Sequence, residues 1–258
     1  MMRRIMAVAG YIFKQSFRNR ILNVLIIFAV FAIGFSLAIS ELAQEAEAKM
    51  VVDFGMFSIN IFAFLTLVLS MAVQLFEETE LKTISMIMVK PIRRYEYMIG
   101  KYLGIIATVL MNIVLMLAVL MVIIAFRGGD PWDLRLLLAA LYSFMGVSIL
   151  ASTALLLSMI ATTVPGCVIY LIFVYALGHL TIHLKNLAAL TGNYIVKAVV
   201  DVIYYVVPNM ELFNLKDKIY SAAGLFTPGY LGLVSLYSVL YIIITLTITS
   251  ILFKKKEF

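Results

Sequence analysis

Charge, cysteine and histidine are all scarce in this chain, and each scarcity removes a class of protein. Only 13% of the 258 residues are Asp, Glu, Lys or Arg, while 64% are hydrophobic; ordinary globular domains carry about twice that share of charge. With a mean hydropathy of +1.07, the soluble domains that such a length would allow are excluded. Short segments of alternating polarity are missing too, which excludes a β-barrel and leaves helices as the only way to satisfy backbone polar groups in lipid. The single cysteine, Cys167, excludes an internal disulfide. No nucleotide site is present: Gly100-Lys101 has the look of the end of a phosphate loop, but position 95 is Tyr rather than Gly and Tyr102 replaces Ser or Thr. Ionisable residues are almost absent from the middle of the apolar runs. Proton- or sodium-coupled carriers need such groups inside the membrane, so a self-powered carrier is disfavoured.

What the chain does have is long apolar runs. Spans are expected at about residues 21–40, 54–76, 103–126, 136–162, 164–183 and 230–253, each long enough to cross a hydrocarbon core of about 30 Å. The first run is long enough to stay as an anchor rather than act as a cleaved signal. Residues 1–19 form an amphipathic helix, with Arg3, Arg4, Lys14 and Arg18 on one side and Ile5, Ala9, Ile12, Phe13 and Phe17 on the other. Such a helix lies in the membrane interface, basic side toward anionic headgroups. Residues 194–207 are apolar but too short to span, and read as a re-entrant or interfacial helix ended by Pro208. The basic residues set the orientation. With the N-terminus inside, inner segments hold thirteen Lys and Arg, and the longer outer segments hold seven against nine acids. The whole chain is thus expected to be one all-α polytopic membrane domain, 1–258, with both termini cytoplasmic. Its basic net charge of +6 follows from this distribution and calls for no nucleic acid.

The longest charged interruption is residues 77–104, EETELKTISMIMVKPIRRYEYMIGKYLG. Glu77, Glu78 and Glu80 open a short helix at 81–89, Pro91 ends it, and Lys90, Arg93 and Arg94 follow. Tyr95, Met98, Ile99 and Tyr102 then recur at helical spacing, with Gly100 among them to allow close backbone approach. The order Glu78, Thr83, Lys90-Pro91-Ile92, Arg94 and Gly100-Lys101-Tyr102-Leu103-Gly104 resembles the loop between the second and third spans of ABC-2 type permeases. The branch it looks most like is the multi-copper enzyme maturation permeases, related to the copper-maturation permease of nitrous oxide reductase. The likeness runs the length of the chain and includes Pro208, Asn209, Phe213 and Asn214. It departs at Lys82, where the family often has glycine.

The resemblance implies a type V-like exporter fold in the cytoplasmic (inner) membrane. The 77–104 loop would be a coupling helix seated on a separate ABC ATP-binding subunit, present in two copies. ATP and Mg would lie on that subunit and no cofactor on this chain, which is no enzyme itself; a second permease copy would complete a homodimer. Contact with the ATPase falls to Glu78, Leu81, Thr83, Met86, Met88, Pro91, Arg93, Arg94 and Lys101. Thr66, Ser70 and Gln74 make one polar stripe, joined by Asn60 and Asn112, that serves either a pathway or interhelical hydrogen bonding. His179 and His183, at i and i+4, have a spacing that can chelate a metal, but no cysteine or carboxylate stands near them in sequence and a structural pair is the favoured reading. Fifteen methionines are scattered without a dense cluster, which suits apolar filler better than copper(I) ligation. Two other classes stand beside the transporter. One is a non-transporting anchor or mechanical transducer acting on an extracytoplasmic partner through residues 184–229. The other is an intramembrane protease using Glu77-Glu78, weakened by Lys82 where that family has arginine.

Overall fold

A computed structural model describes residues 2–40, 47–79, 93–161, 163–190, 194–215 and 228–255. The helices are α1 (Met2–Arg18), α2 (Arg20–Ser40), α3 (Glu47–Thr79), α4 (Arg94–Phe126), α5 (Leu134–Ile160), α6 (Val164–Leu190), α7 (Tyr194–Val206) and α8 (Pro228–Lys255), with a 3-10 turn, η1 (Met210–Phe213), before α8. No strand occurs among the described residues. Five helices hold stretches long and apolar enough to cross a membrane: Lys49–Glu77, Arg94–Phe126, Leu134–Ile160, Val164–Ala188 and Pro228–Lys254. Helices α1 and α2, bent by 69°, make a sixth when taken together. The chain is therefore an all-α, multi-pass membrane protein.

Two element boundaries differ from those expected. The chain around Tyr95 and the following span are one 33-residue helix, α4. Arg94, Glu96 and Lys101 break the run of hydropathy but not the hydrogen-bond ladder, and Glu96 at the third helical position accepts the Arg93 backbone N–H at 3.0 Å, half of a capping box. The acidic stretch before the second span likewise belongs in part to a helix, since α3 starts at Glu47. Asp133 caps α5 by accepting the Arg135 N–H at 2.9 Å. Gly128, at φ 75°, supplies the left-handed turn residue after α4. Thr163 caps α6, its hydroxyl accepting the Gly166 N–H at 3.3 Å.

Two ends of the bundle matter for function. At one, α1 lies along the start of α4, where Gly100 and Gly104 bring Val8 and Ile12 against the backbone. The buried stripe of α1 is Ile5, Val8, Ile12 and Ser16. This corrects the expected division of the helix into two sides: Phe17, expected on the side of Ile5 and Ile12, stands exposed beside the docked face rather than within it. At the other end, η1 sits between α5 and α6, and tyrosines of α8 hold it down.

Candidate functional site

The charged-loop end is a three-way joint. Arg94 donates to the carbonyls of Phe253 (3.0 Å) and Lys254 (2.8 Å), and its guanidinium lies 5.9 Å from the centre of the Phe253 ring. Tyr97 stacks on the same ring at 6.0 Å. The last turn of α8 is thereby tied to the first turn of α4. Glu96, 3% exposed, also lies 3.9 Å from Arg4 of α1. Arg93 donates to the Tyr95 hydroxyl at 3.2 Å; that hydroxyl, and behind it the Glu96 carboxylate, raise the guanidinium above its ordinary value.

Of the residues assigned to ATPase contact, Leu81, Thr83, Met86, Met88 and Pro91 lie outside the described residues, and Glu78 stands in the last turn of α3. Arg93 is exposed. Arg94 is engaged with α8. Lys101 corrects the expectation: it is 0% exposed, within electrostatic reach of Cys167 on α6, so its ammonium serves the interior of the fold and not a docking surface. A lysine at the edge of a basic run reads as solvated from sequence, and only its burial in the folded chain shows otherwise.

The polar stripe on α3 is buried throughout, with Thr66 and Ser70 each 1% exposed, Gln74 4% and Asn112 2%. The Asn112 amide donates to the Thr66 hydroxyl, an interhelical bond of the kind that pins helices in lipid, and Thr66 in turn donates within its own helix to the Phe62 carbonyl at 2.8 Å. Ser70 Oγ and both ends of the Gln74 amide have no hydrogen-bond partner among the described residues. The stripe is therefore glue at one end and unsatisfied at the other.

At the opposite end, a cavity of about 240 Å³ opens between α3, α5, α6 and η1. Asn60 lines it, as does His179. His179 does not pair with His183 around a metal: its Nδ1 faces Glu211 Oε2 at 3.5 Å, its ring meets Tyr175 edge-on at 4.8 Å, and His183 is exposed. Among the described residues no group of three His, Cys, Asp or Glu side chains could hold a metal ion. Each residue of the 208–214 motif has a structural task here. Asn209 Oδ1 caps η1 by accepting the Glu211 N–H at 3.1 Å, and Asn214 donates to Glu211 Oε1 at 3.1 Å. Phe213 rests on Gly146, where a Cβ would come within 3.2 Å, and Pro208 rests on Gly178. Sequence reasoning missed Glu211, whose only signal is its place inside that motif.

A Cβ on Gly178 would meet the Pro208 carbonyl oxygen at 2.7 Å and Met210 Cγ at 2.8 Å. Backbone cannot swing aside as a side-chain end can, so Gly178→Ala is expected to lift η1 at a cost of about 1–3 kcal/mol. Hydrogen–deuterium exchange at 206–214 should rise sharply in the variant; unchanged exchange would show that η1 is not seated through this glycine.

No family model matches the chain, and no curated protein matches it.

Proposed function

We propose that this chain is the membrane permease subunit of an ABC-2 type ATP-driven transporter, acting as an exporter and as a homodimer, with both termini in the cytoplasm. The observation that carries the reading is the joint at the exit of the charged loop. Residues 93–97 are bonded at once to α1 through Glu96 and to the end of α8 through Arg94. A push delivered to the loop by a partner would therefore move three helices together and not be lost in a flexible linker. The sequence has no phosphate loop, which supports an energy source on a separate ATPase. The buried, unsatisfied Ser70 and Gln74 would find polar partners in another conformation or in the second subunit.

Met86→Asp is the direct test, because an aspartate there would place a charge in the apolar contact with the ATPase. The variant should reach the membrane at normal levels, lose co-purification with its ATP-binding subunit, and lose cargo-stimulated hydrolysis. If association and transport both persist, the docking assignment is wrong. A second reading has its own observation. Helix α7 buries none of its residues and leaves Tyr194, Ile195, Tyr205 and Val206 exposed, a surface that a transducer would offer to an extracytoplasmic partner. Transport by the reconstituted complex in the absence of any such partner would decide for the exporter.

A further inference from the structure

The turn between α4 and α5 carries three large apolar side chains and buries none of them. Phe126 is 87% exposed, Trp132 75% and Leu134 67%. The backbone beneath them is held in place: the Gly129 N–H donates to the Ile124 carbonyl at 3.1 Å, and the Trp132 N–H to Asp130 Oδ1 at 2.9 Å. Exposed apolar surface leads into the turn from both helices. Leu110, Met111, Val114, Val122 and Phe126 share one broad face of α4, and Leu134 and Leu141, two turns apart, share a face of α5. The turn also lies where the chain leaves the hydrocarbon. Lys101 is the last charged residue of α4, and from Tyr102 to Phe126 the helix rises about 37 Å, enough to cross a core of about 30 Å with some tilt. Arg127 follows at once, and no charged residue occurs in α5 after Arg135.

We propose that this turn is a lipid anchor, with the Trp132 indole at the headgroup and glycerol level and the Phe126 and Leu134 side chains in the acyl chains beneath it. An indole suits that depth because its ring is apolar while its N–H needs an acceptor. Ester and phosphate oxygens supply one and hydrocarbon does not, which is why tryptophan gathers at membrane interfaces. The charges of the turn balance, Arg127 and Arg135 against Asp130 and Asp133, so zwitterionic lipid suffices. A water-soluble partner fits poorly here. Phe126 and Leu134 continue faces that run down the two spans, and a protein covering them would have to enter the bilayer. The anchor holds one end of α4 at lipid while the other end carries the joint at Arg94. It concerns the bilayer alone and stands or falls independently of whether an ATPase docks on residues 77–104.

Trp132 is the chain's only tryptophan, so fluorescence excited beyond the tyrosine absorption reports this turn and nothing else. The full chain is placed in phosphatidylcholine nanodiscs that carry a nitroxide either near the ester end or at the methyl end of the acyl chain. Aqueous iodide is titrated in parallel. The shallow label should quench at least about twofold more than the deep one, and iodide at least about threefold less than it quenches free N-acetyltryptophanamide, as an interfacial indole requires. Phe126→Glu combined with Leu134→Glu puts charge where acyl chains are expected, and should raise iodide quenching toward that of the free amide. The proposal is overturned if iodide quenches the parent as freely as the amide, which puts the turn in water. It is overturned if the deep label quenches more than the shallow one, or if neither lipid label nor iodide reaches the indole, which means that another protein chain covers it. An unchanged pattern in the folded double variant overturns it too, and the parent's pattern decides the matter where that variant does not fold.

Discussion

Gly104→Val should detach the N-terminal helix from the bundle. A Cβ at Gly104 would lie 2.7 Å from Ile12 Cβ and 2.9 Å from the Ala9 carbonyl oxygen; at Gly100 the corresponding distances are 2.7 Å to Val8 Cβ and 2.9 Å to the Ile5 oxygen. The obstacles are backbone and the stiff first carbon of β-branched side chains, so α1 must move as a body. Overpacking of a single extra carbon costs on the order of 1–3 kcal/mol, and valine adds more. A direct reporter is available in Ser16, which is 3% exposed on the docked stripe. Ser16→Cys should resist maleimide in the parent and label readily with Gly104→Val, over a low background from Cys167, itself 1% exposed. If Ser16→Cys stays protected and the melting temperature is unchanged, the glycine groove does not hold α1.

Lys101→Glu should abolish accumulation of folded protein. The residue is 0% exposed and engaged within the chain, so the substitution removes a buried interaction and puts a charge of the opposite sign in its place. Breaking a buried charged interaction costs about 3–5 kcal/mol, a large part of the roughly 5–15 kcal/mol that holds a domain together. Lys101→Met, of similar length and uncharged, should be far milder. The measurement is the yield and melting temperature of monodisperse protein in detergent. It also separates two roles: a surface contact for a partner would leave folding intact under Lys101→Glu and weaken only the complex.

These residues show how far the sequence could be read. The spans were legible because lipid imposes one requirement, continuous apolar length, and hydropathy measures it directly. The close approach at Gly100 was legible because a missing Cβ is itself a physical statement. The unbroken course of α4 was not, because a hydropathy boundary and a helix boundary are different things: Arg94, Glu96 and Lys101 end the first without ending the second. Nor was the docked face of α1, since Met6 and Phe17 are as apolar as Ile5 and Ile12, and only the position of the α4 glycines chooses between the two faces. Asn60, His179 and Asn214 drew notice one at a time, but they meet around the cavity through residues far apart in the chain. The spacing of His179 and His183 along one helix is visible in sequence, whereas Glu211 opposite His179 is not. The loop residues from Leu81 to Pro91 that bear the proposed coupling role rest on resemblance and on the joint that follows them.

The segment around η1 is fastened chiefly by its main chain. Tyr241 donates to the Val206 carbonyl at 3.0 Å and Tyr230 to the Leu212 carbonyl at 3.0 Å, while the Tyr237 hydroxyl accepts from the Asn209 N–H at 3.2 Å. Peptide groups are the same whatever side chain they carry. The bundle therefore grips this segment without reading most of its letters, and substitutions in the segment can rewrite the cavity's wall while three tyrosines and two glycines keep the lining in place.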